Sequence, residues 1–562
     1  MKSSDAYILR KMVEQRQKEL APELKPEEYF NWFVADQVLK IHDPSTDDIK
    51  AGLVDGPDDG GVDGFYILAG NAFISEDPDF TESKRFLPNG LTIDVIIFQA
   101  KLEDSFRERP LDLLLNTVPR LLDLKRPLGR VSQLYNERLR DAAKRFRDTV
   151  DQLSRLCPQI SVRVHYATLG SGPNRKVLGK AKDLEEELLR LFPSRQRTSV
   201  RLLGAKELLE LARMREPSQS ELCCTDLLIL EDGAVVALAT LHEFYRFITD
   251  ENGEFRHSLF EANVRDYQGK TSVNSEIRRT LIERPEEDFW WLNNGITVVA
   301  ERVMPTGKKL TLQDPQIVNG LQTSREIFEY FRAGVPEDKR KILVRIVTPK
   351  RPESRDRIIK ATNSQTTLPA ASLRATDEIQ WKIEQFLSTC GWFYERRKNF
   401  YKNQGKPLNS IVSISELGQA VMAVVLQEPG AARARPSSLL NRDDDYRRVF
   451  DERFPIEVYR IAIELVRLVE ERLRAAGSFK PEDVVNMKFY VAMAIAALAC
   501  RQRTPSPEKI ANLRRDEIKD ELVSKAIGLV VPLYKELGGN SVVAKGSELG
   551  KRLKEKLSEV LG

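Results

Sequence analysis

The chain has 562 residues, 41% hydrophobic and 31% charged, and its 88 Lys and Arg nearly balance 84 Asp and Glu for a formal net charge of +4. These proportions exclude a disordered chain, a collagen-like repeat and a disulfide scaffold, and at roughly 100–200 residues per domain they leave room for about three to five domains. So small a net charge creates no global field toward a polyanion, and any nucleic-acid contact has to come from local patches.

In EEYFNWFVADQVLKI, Phe30, Phe33, Val34, Val38 and Leu39 recur at helical spacing, which predicts helix in the first 50 residues. A Gly and Asp cluster follows. GVDGFYIL and LTIDVIIFQAK then read as consecutive strands about a turn at Gly70 and Asn71. Helical patterns run from about Ser105 to Leu156, and ISVRVHYATLG, GKAKDLEEELLRLF, SVRLLG and AKELLELA alternate strand and helix. CCTDLLILEDGAVVALATL predicts a strand pair around Asp-Gly, and beyond about Ser413 nearly everything is helical. The chain is therefore expected to be α/β: an α/β unit over residues 1–215, a mixed α/β region over 216–410 and a mostly α-helical region over 411–562. FYVAMAIAALAC has about half the length that a bilayer-spanning helix needs, so a buried helix and no membrane partner are expected. Five cysteines without a CxxC pair and only four scattered histidines argue against a zinc cage. With the polar start MKSSDAYILRKMVEQRQKEL, the odd cysteine count sets a cytoplasmic expectation.

Asp63 lies in DDGGVDGF, where glycines let the backbone turn tightly and deliver the acid to the start of a strand. In IDVIIFQAK the two-residue period places Gln99 and Lys101 on one face, roughly 7 Å apart. That pattern suits phosphodiester hydrolysis: oxygen ligands hold Mg²⁺, and a lysine one step on meets the attacking water or the phosphate.

Acid, Gly-rich turn, apolar strand and Q-x-K in this order resemble the PD-(D/E)xK nuclease superfamily, in particular its Mrr-like branch with glutamine at the usual acid position. The resemblance implies a restriction-endonuclease-like N-terminal domain in which Asp63, Gln99 and Lys101 are catalytic. Asp63, Gln99 and the carbonyl of Ala100 would hold Mg²⁺, with Mn²⁺ as the alternative. Glutamine is neutral, so a further acid is needed. Relatives take it from the first helix, where Glu27, Glu28 and Asp36 are the candidates and Asn31 occupies the aligned position; Asp59 in the turn is another.

Five blocks come next in order: FEANVRDYQGKTSVNSEIRRTL, DFWWLNNGITVVAERV, PQIVNGLQTSREIFEYF, KATNSQTTLPAASLRATDEIQ and GWFYERRKNFYKNQGKP. Together they closely resemble the AIPR family, named for abortive phage infection, over roughly residues 255–410. Asn293, Asn294 and Asn319 precede glycines and suit tight turns, where the amides also suit base or backbone contacts. VNGLQTSREIF reads as strand, Gly-bearing loop, cap and helix, so N–H groups near Gln322, Thr323 and Ser324 would face an anion. This loop is similar to the D-G-Q-x-R loops of ParB-like nucleotide-binding proteins, which makes a nucleotide a candidate ligand. Turn and cap roles are the structural alternative.

In GWFYERRKNFYK, Arg396, Arg397, Lys398 and Lys402 interleave with aromatic residues, a pairing suited to phosphates and stacked bases. Arg265, Arg278, Arg279, Arg374 and Asn363 are candidates for the same surface, and inward-packed aromatics under solvated charges are the alternative. The resemblances together lead to the expectation of a Mg²⁺-dependent nuclease in anti-phage defence, with DNA ahead of RNA as substrate and a homodimer as the assembly. The competing expectation is a nucleotide- or nucleic-acid-binding defence sensor with a degenerate nuclease domain.

Overall fold

A computed structural model describes residues 4–561 apart from 43, 71, 76–79, 81–88, 130–133, 195–196, 214–218, 232, 251–252, 254, 261–271, 284–285, 336, 350–353, 355–357, 359–373, 375–376, 397–398, 435–442 and 515–516. Helices α1 (Ser4–Leu20), α2 (Pro26–Leu39) and α3 (Thr46–Gly52) lead into the first sheet. Its strands are β1 (Gly64–Ala69), β2 (Ala72–Phe73), β3 (Thr92–Lys101), β4 (Gln159–Thr168) and β5 (Thr198–Leu203), ordered β2-β1-β3-β4-β5. The sheet is mixed: β1 runs antiparallel to β3, whereas β3, β4 and β5 are parallel.

β3 is central because TIDVIIFQAK is apolar on both faces, as a strand covered on both sides must be. Ile93, Val95 and Ile97 pack toward α4 (Glu108–Leu122), α5 (Glu137–Leu153) and α6 (Arg175–Leu191). Ile96, Phe98 and Ala100 alternate to the other face, against α1, α2 and α7 (Ala205–Arg213). Each such apolar side chain, fully buried, stabilises the fold by about 1.5–3 kcal/mol relative to exposure. By the same alternation Gln99 and Lys101 belong to the α4 face.

With β6 (Gln219–Cys223), β7 (Asp226–Ile229), β8 (Val235–Thr240), β9 (Ile296–Val299), β10 (Arg302–Thr306), β11 (Lys309–Gln313), β12 (Gln316–Asn319) and β13 (Lys341–Val347), the middle unit holds the five-stranded sheet β12-β9-β13-β8-β7 and the smaller sheet β10-β11-β6. β7 (Asp226–Ile229) and β8 (Val235–Thr240) pair antiparallel, as the Asp-Gly turn predicted. Helices α8 (Leu241–Ile248), α9 (Ser272–Glu283) and α10 (Leu321–Arg332) accompany these sheets.

The helical unit comprises α11 (Glu378–Thr389), α12 (Ile414–Val424), α13 (Glu457–Ala475), α14 (Pro481–Ala499), α15 (Asp520–Glu536) and α16 (Glu548–Leu561), with shorter helices between them. α14 carries the apolar run and is buried along almost its whole length, and among the described residues no helix is long and apolar enough to cross a membrane. Ile379, Ile383 and Tyr394 share the core of α12–α16, so packing of this unit begins upstream of the boundary expected at 411. Conversely, Leu408 and Ile411 join Phe30, Phe33 and Phe98 in the core of the first unit. The chain thus returns to its N-terminal unit before the last helices form.

Candidate metal centre

The loop between α3 and β1 closes on itself. Leu53 bridges to Gly64, and the Val54 N–H donates to the Asp63 carbonyl at 3.0 Å, which brings Asp55 and Asp63 together at its neck. Gly60 and Gly61 are at φ +61 and +81 and lie flat on α4: a Cβ at Gly60 would come within 2.6 Å of Thr117 Oγ1, and one at Gly61 within 2.7 Å of Leu113 Cβ. Only glycine combines that backbone with so close an approach. Asp59 shapes the turn from inside, accepting the Gly61 N–H at 2.7 Å and the Gly56 N–H at 3.3 Å.

β1 and β3 pair from Gly64 opposite Phe98, and one step further the register sets Asp63 opposite Gln99. The Asp63 N–H donates to the Phe98 carbonyl at 3.0 Å, and its Oδ2 accepts the Ala100 N–H at 2.7 Å. Lys101 Nζ lies 3.6 Å from the same Oδ2 and keeps about a third of its side chain exposed, at 37%. Main-chain groups of successive residues point to opposite edges of a strand, so Ala100, like Phe98, directs its N–H and carbonyl to the Asp63 side.

Asp63 is fully buried and Gln99 is 2% exposed. Asp63 Oδ1 and Gln99 Oε1 have no hydrogen-bond partner among the described residues. Buried oxygens are normally satisfied, so each of these keeps acceptor capacity to offer a cation or a water. Carboxylate oxygens of Asp55, Asp59 and Asp63 lie within 4.8 Å of one another. Burial pushes the Asp63 carboxyl up to about 7, against the pull of Lys101 and the Ala100 N–H, and burial also raises Asp59. Carboxylates crowded into a dry site cannot all hold their charge unless a cation joins them. Three carboxylates, an amide oxygen and a main-chain carbonyl form a hard-oxygen donor set suited to Mg²⁺ or Mn²⁺.

The structure brings together Asp59, Asp63, Gln99, Ala100 and Lys101, and it corrects the expected source of the additional acid. Glu28 is exposed and accepts the Lys25 N–H at the start of α2, on the sheet face opposite the site. Asp36 pairs with Lys402 at 2.6 Å. Asp55 is the acid that joins Asp59 and Asp63 here, a residue sequence reasoning missed because its place depends on the Val54–Asp63 loop closure.

The Asn-rich loops build a second polar cluster. Asn293 accepts the Gly295 N–H at 2.9 Å and donates to Thr323 Oγ1 at 3.2 Å; Asn294 is exposed. Asn319 ends β12 (Gln316–Asn319), and Gly320 at φ +106 turns the chain into α10, with Gln322 in its first turn. A Cβ at Gly320 would meet Ile296 Cδ1 at 2.3 Å, so the turns at Gly295 and Gly320 are packed together. Ser324 closes the first helical turn, both its N–H and its hydroxyl donating to the Gly320 carbonyl. These are turn and cap contacts, and Thr323 and Ser324 are buried.

The basic aromatic strip turns inward where a nucleic-acid surface was expected. Arg396 is buried and directs Nε and Nη2 to Glu384 Oε2 at 2.7 and 2.6 Å, while Tyr401 donates to the other oxygen at 3.0 Å. Lys402 reaches across to Asp36 and to the Pro44 carbonyl at 3.3 Å, tying the strip to the first unit. Arg374 is buried over the Tyr446 ring at 4.1 Å. Carboxylates of Glu384 and Asp36 thus neutralise Arg396 and Lys402. Arg278 stays half exposed, 3.4 Å from the buried Glu326, and Arg279 pairs with Glu283. Arg265, Asn363, Arg397 and Lys398 lie outside the described residues.

Fold and site thus define a mixed α/β sheet unit carrying a buried acid–amide–lysine cluster, joined to a mixed α/β unit and a helical unit. Residues 260–528 match the family model described as AIPR protein. The match continues past the 410 limit expected from the loop blocks and takes in most of the helical unit. No curated protein and no solved structure matches the chain.

Proposed function

We propose that the protein is a divalent-metal-dependent nuclease of anti-phage defence, cutting DNA in preference to RNA, with the first sheet unit as its cutting part. The observation that carries this reading is Asp63, whose buried Oδ1 has no hydrogen-bond partner among the described residues, meeting Asp55 and Asp59 with Lys101 alongside. Asp55, Asp59, Asp63, Gln99 and the Ala100 carbonyl would hold the cation. When bound, Mg²⁺ supplies charge neutralisation at a phosphate and acidifies a water.

The chain's own residues do the rest. Asp63, fixed by the Ala100 N–H, orients the cluster. Lys101, tethered near Asp63 yet partly exposed, presents its ammonium to the charge that develops on a phosphate during in-line attack. Duplex cleavage with one such centre per chain calls for two copies, so a homodimer belongs to this reading.

The test is incubation of the purified protein with plasmid DNA and with RNA in Mg²⁺, Mn²⁺ or EDTA. Metal-dependent nicking that EDTA stops supports the reading. Intact substrate under every metal condition, together with a thermal shift by nucleoside triphosphates, would replace it with a nucleotide-binding sensor.

A further inference from the structure

Residues 136–138, at the start of α5, stand between the acid loop and the helical unit. Asn136 caps α5 by accepting the Leu139 N–H at 2.9 Å. Its Nδ2 donates to the carbonyls of Val54 at 3.0 Å and Pro57 at 3.3 Å, and its own N–H donates to the Asp58 carbonyl at 2.9 Å. Arg138 adds a donor to the Leu53 carbonyl at 3.4 Å. These contacts grip the loop on both sides of Asp55.

Glu137, between the two, faces the other way. Its Oε1 accepts the Ser541 N–H at 2.5 Å and its Oε2 accepts Asn486 Nδ2 at 3.3 Å. Asn486 sits in α14, only 1% exposed, in an otherwise apolar helix core; it also donates to Tyr534 at 3.0 Å and accepts from Arg433 at 3.1 Å. A buried amide inside apolar packing costs free energy unless every polar contact is met, and one of this amide's three contacts goes to Glu137 of the neighbouring unit. The loop grip and the helical unit are therefore joined by one turn of helix.

We propose that the helical unit sets the divalent-cation affinity of the acid loop through this relay, with Asn136 as a positioning residue for Asp55 and Glu137 as the link. The proposal rests on the metal-centre reading above. Partners that hold ligands in place without touching the ion typically govern affinity by about 10–100-fold.

The experiment is calorimetric titration of the full-length chain with MnCl₂, for the parent, Asn136→Ala, Glu137→Gln and Asn486→Asp, with melting in EDTA alongside. The parent is expected to bind Mn²⁺, and all three variants to bind about tenfold more weakly or worse. Glu137→Gln, near-isosteric, should melt in EDTA like the parent, whereas Asn486→Asp sets a buried carboxylate against Glu137 and should melt lower while staying folded. If one of them unfolds in EDTA, the other decides. Parent-like Mn²⁺ affinity in a folded Glu137→Gln or Asn486→Asp chain overturns the relay, even when Asn136→Ala is weak. A parent that takes up no Mn²⁺ removes the metal centre itself, a distinct result from variants that match a binding parent.

Discussion

Asp63 and Gln99 stand opposite each other where β1 and β3 part, and each keeps a buried oxygen without a protein partner among the described residues. Gln99→Glu adds a fourth carboxylate at that point. In EDTA the variant should melt below the parent, because like charges crowd a dry site. In Mg²⁺ the deficit should close, and calorimetry should find binding about tenfold tighter, since affinity for hard cations follows ligand charge. Equal or weaker binding would remove Gln99 from the ligand set.

Lys101→Ala leaves the acids in place. Plasmid nicking should fall by about 100-fold or more while Mn²⁺ binding and melting temperature hold, because the lysine acts on charge that appears during reaction. Undiminished nicking by this variant would mean that Lys101 has no part in cleavage.

Gly61→Ala tests the loop. At φ +81 an alanine is strained, and its Cβ would press on Leu113 and on Gln99 Nε2, 3.2 Å away. A loss on the order of 1–3 kcal/mol is expected. Metal affinity should fall with it, as read by calorimetry beside a denaturant titration; unchanged affinity would separate the loop's shape from its binding.

Arg396→Ala distinguishes a structural cation from a nucleic-acid contact. Stripping Glu384 of its buried partner should cost about 3–5 kcal/mol, visible as a lower melting temperature. Loss of nucleic-acid binding in a gel-shift assay at unaltered stability would point the other way.

His165 on β4 is buried, and burial, helped by Arg201 and Arg163, pushes it down to about 3. Its folded value lies below the unfolded value near about 6.5, so protons favour the unfolded chain. The stability it permits is whole above about pH 6.5 and shrinks as pH falls toward about 3. Asp63, raised to about 7, pulls the other way in EDTA, so the prediction is a difference: between about pH 7.5 and about pH 5 the melting temperature of the parent should fall relative to that of His165→Gln. An identical slope in both proteins would assign acid sensitivity elsewhere.

How much of this was legible in the sequence follows from the range of each interaction. Gln99 and Lys101 on one face, and Asp63 at a strand start, are local consequences of strand period and glycine turns, and the structure brings the three together. Asp55 was not legible, because it meets Asp63 only through a main-chain bond that closes the loop. Glu28 was misassigned because β3 is apolar on both faces and nothing local says which face α2 covers. Arg396 and Lys402 looked free because Glu384 and Asp36, which neutralise them, are remote along the chain. Asn293 makes turn and cap contacts to Gly295 and Thr323, and Asn319 ends β12 before the Gly320 turn.

The return of the chain to its first unit has a bearing on modularity. Leu408 and Ile411 fill the core beneath Phe30 and Phe98, Ser413 bonds to Asp47, and Lys402 is salt-bridged to Asp36. A fragment trimmed after residue 215 would keep every candidate ligand and still expose a greasy seam. The first sheet unit is thus no portable cassette: recombination between relatives, or a cloner's scissors, would have to carry Leu408, Ile411 and Lys402 along with it.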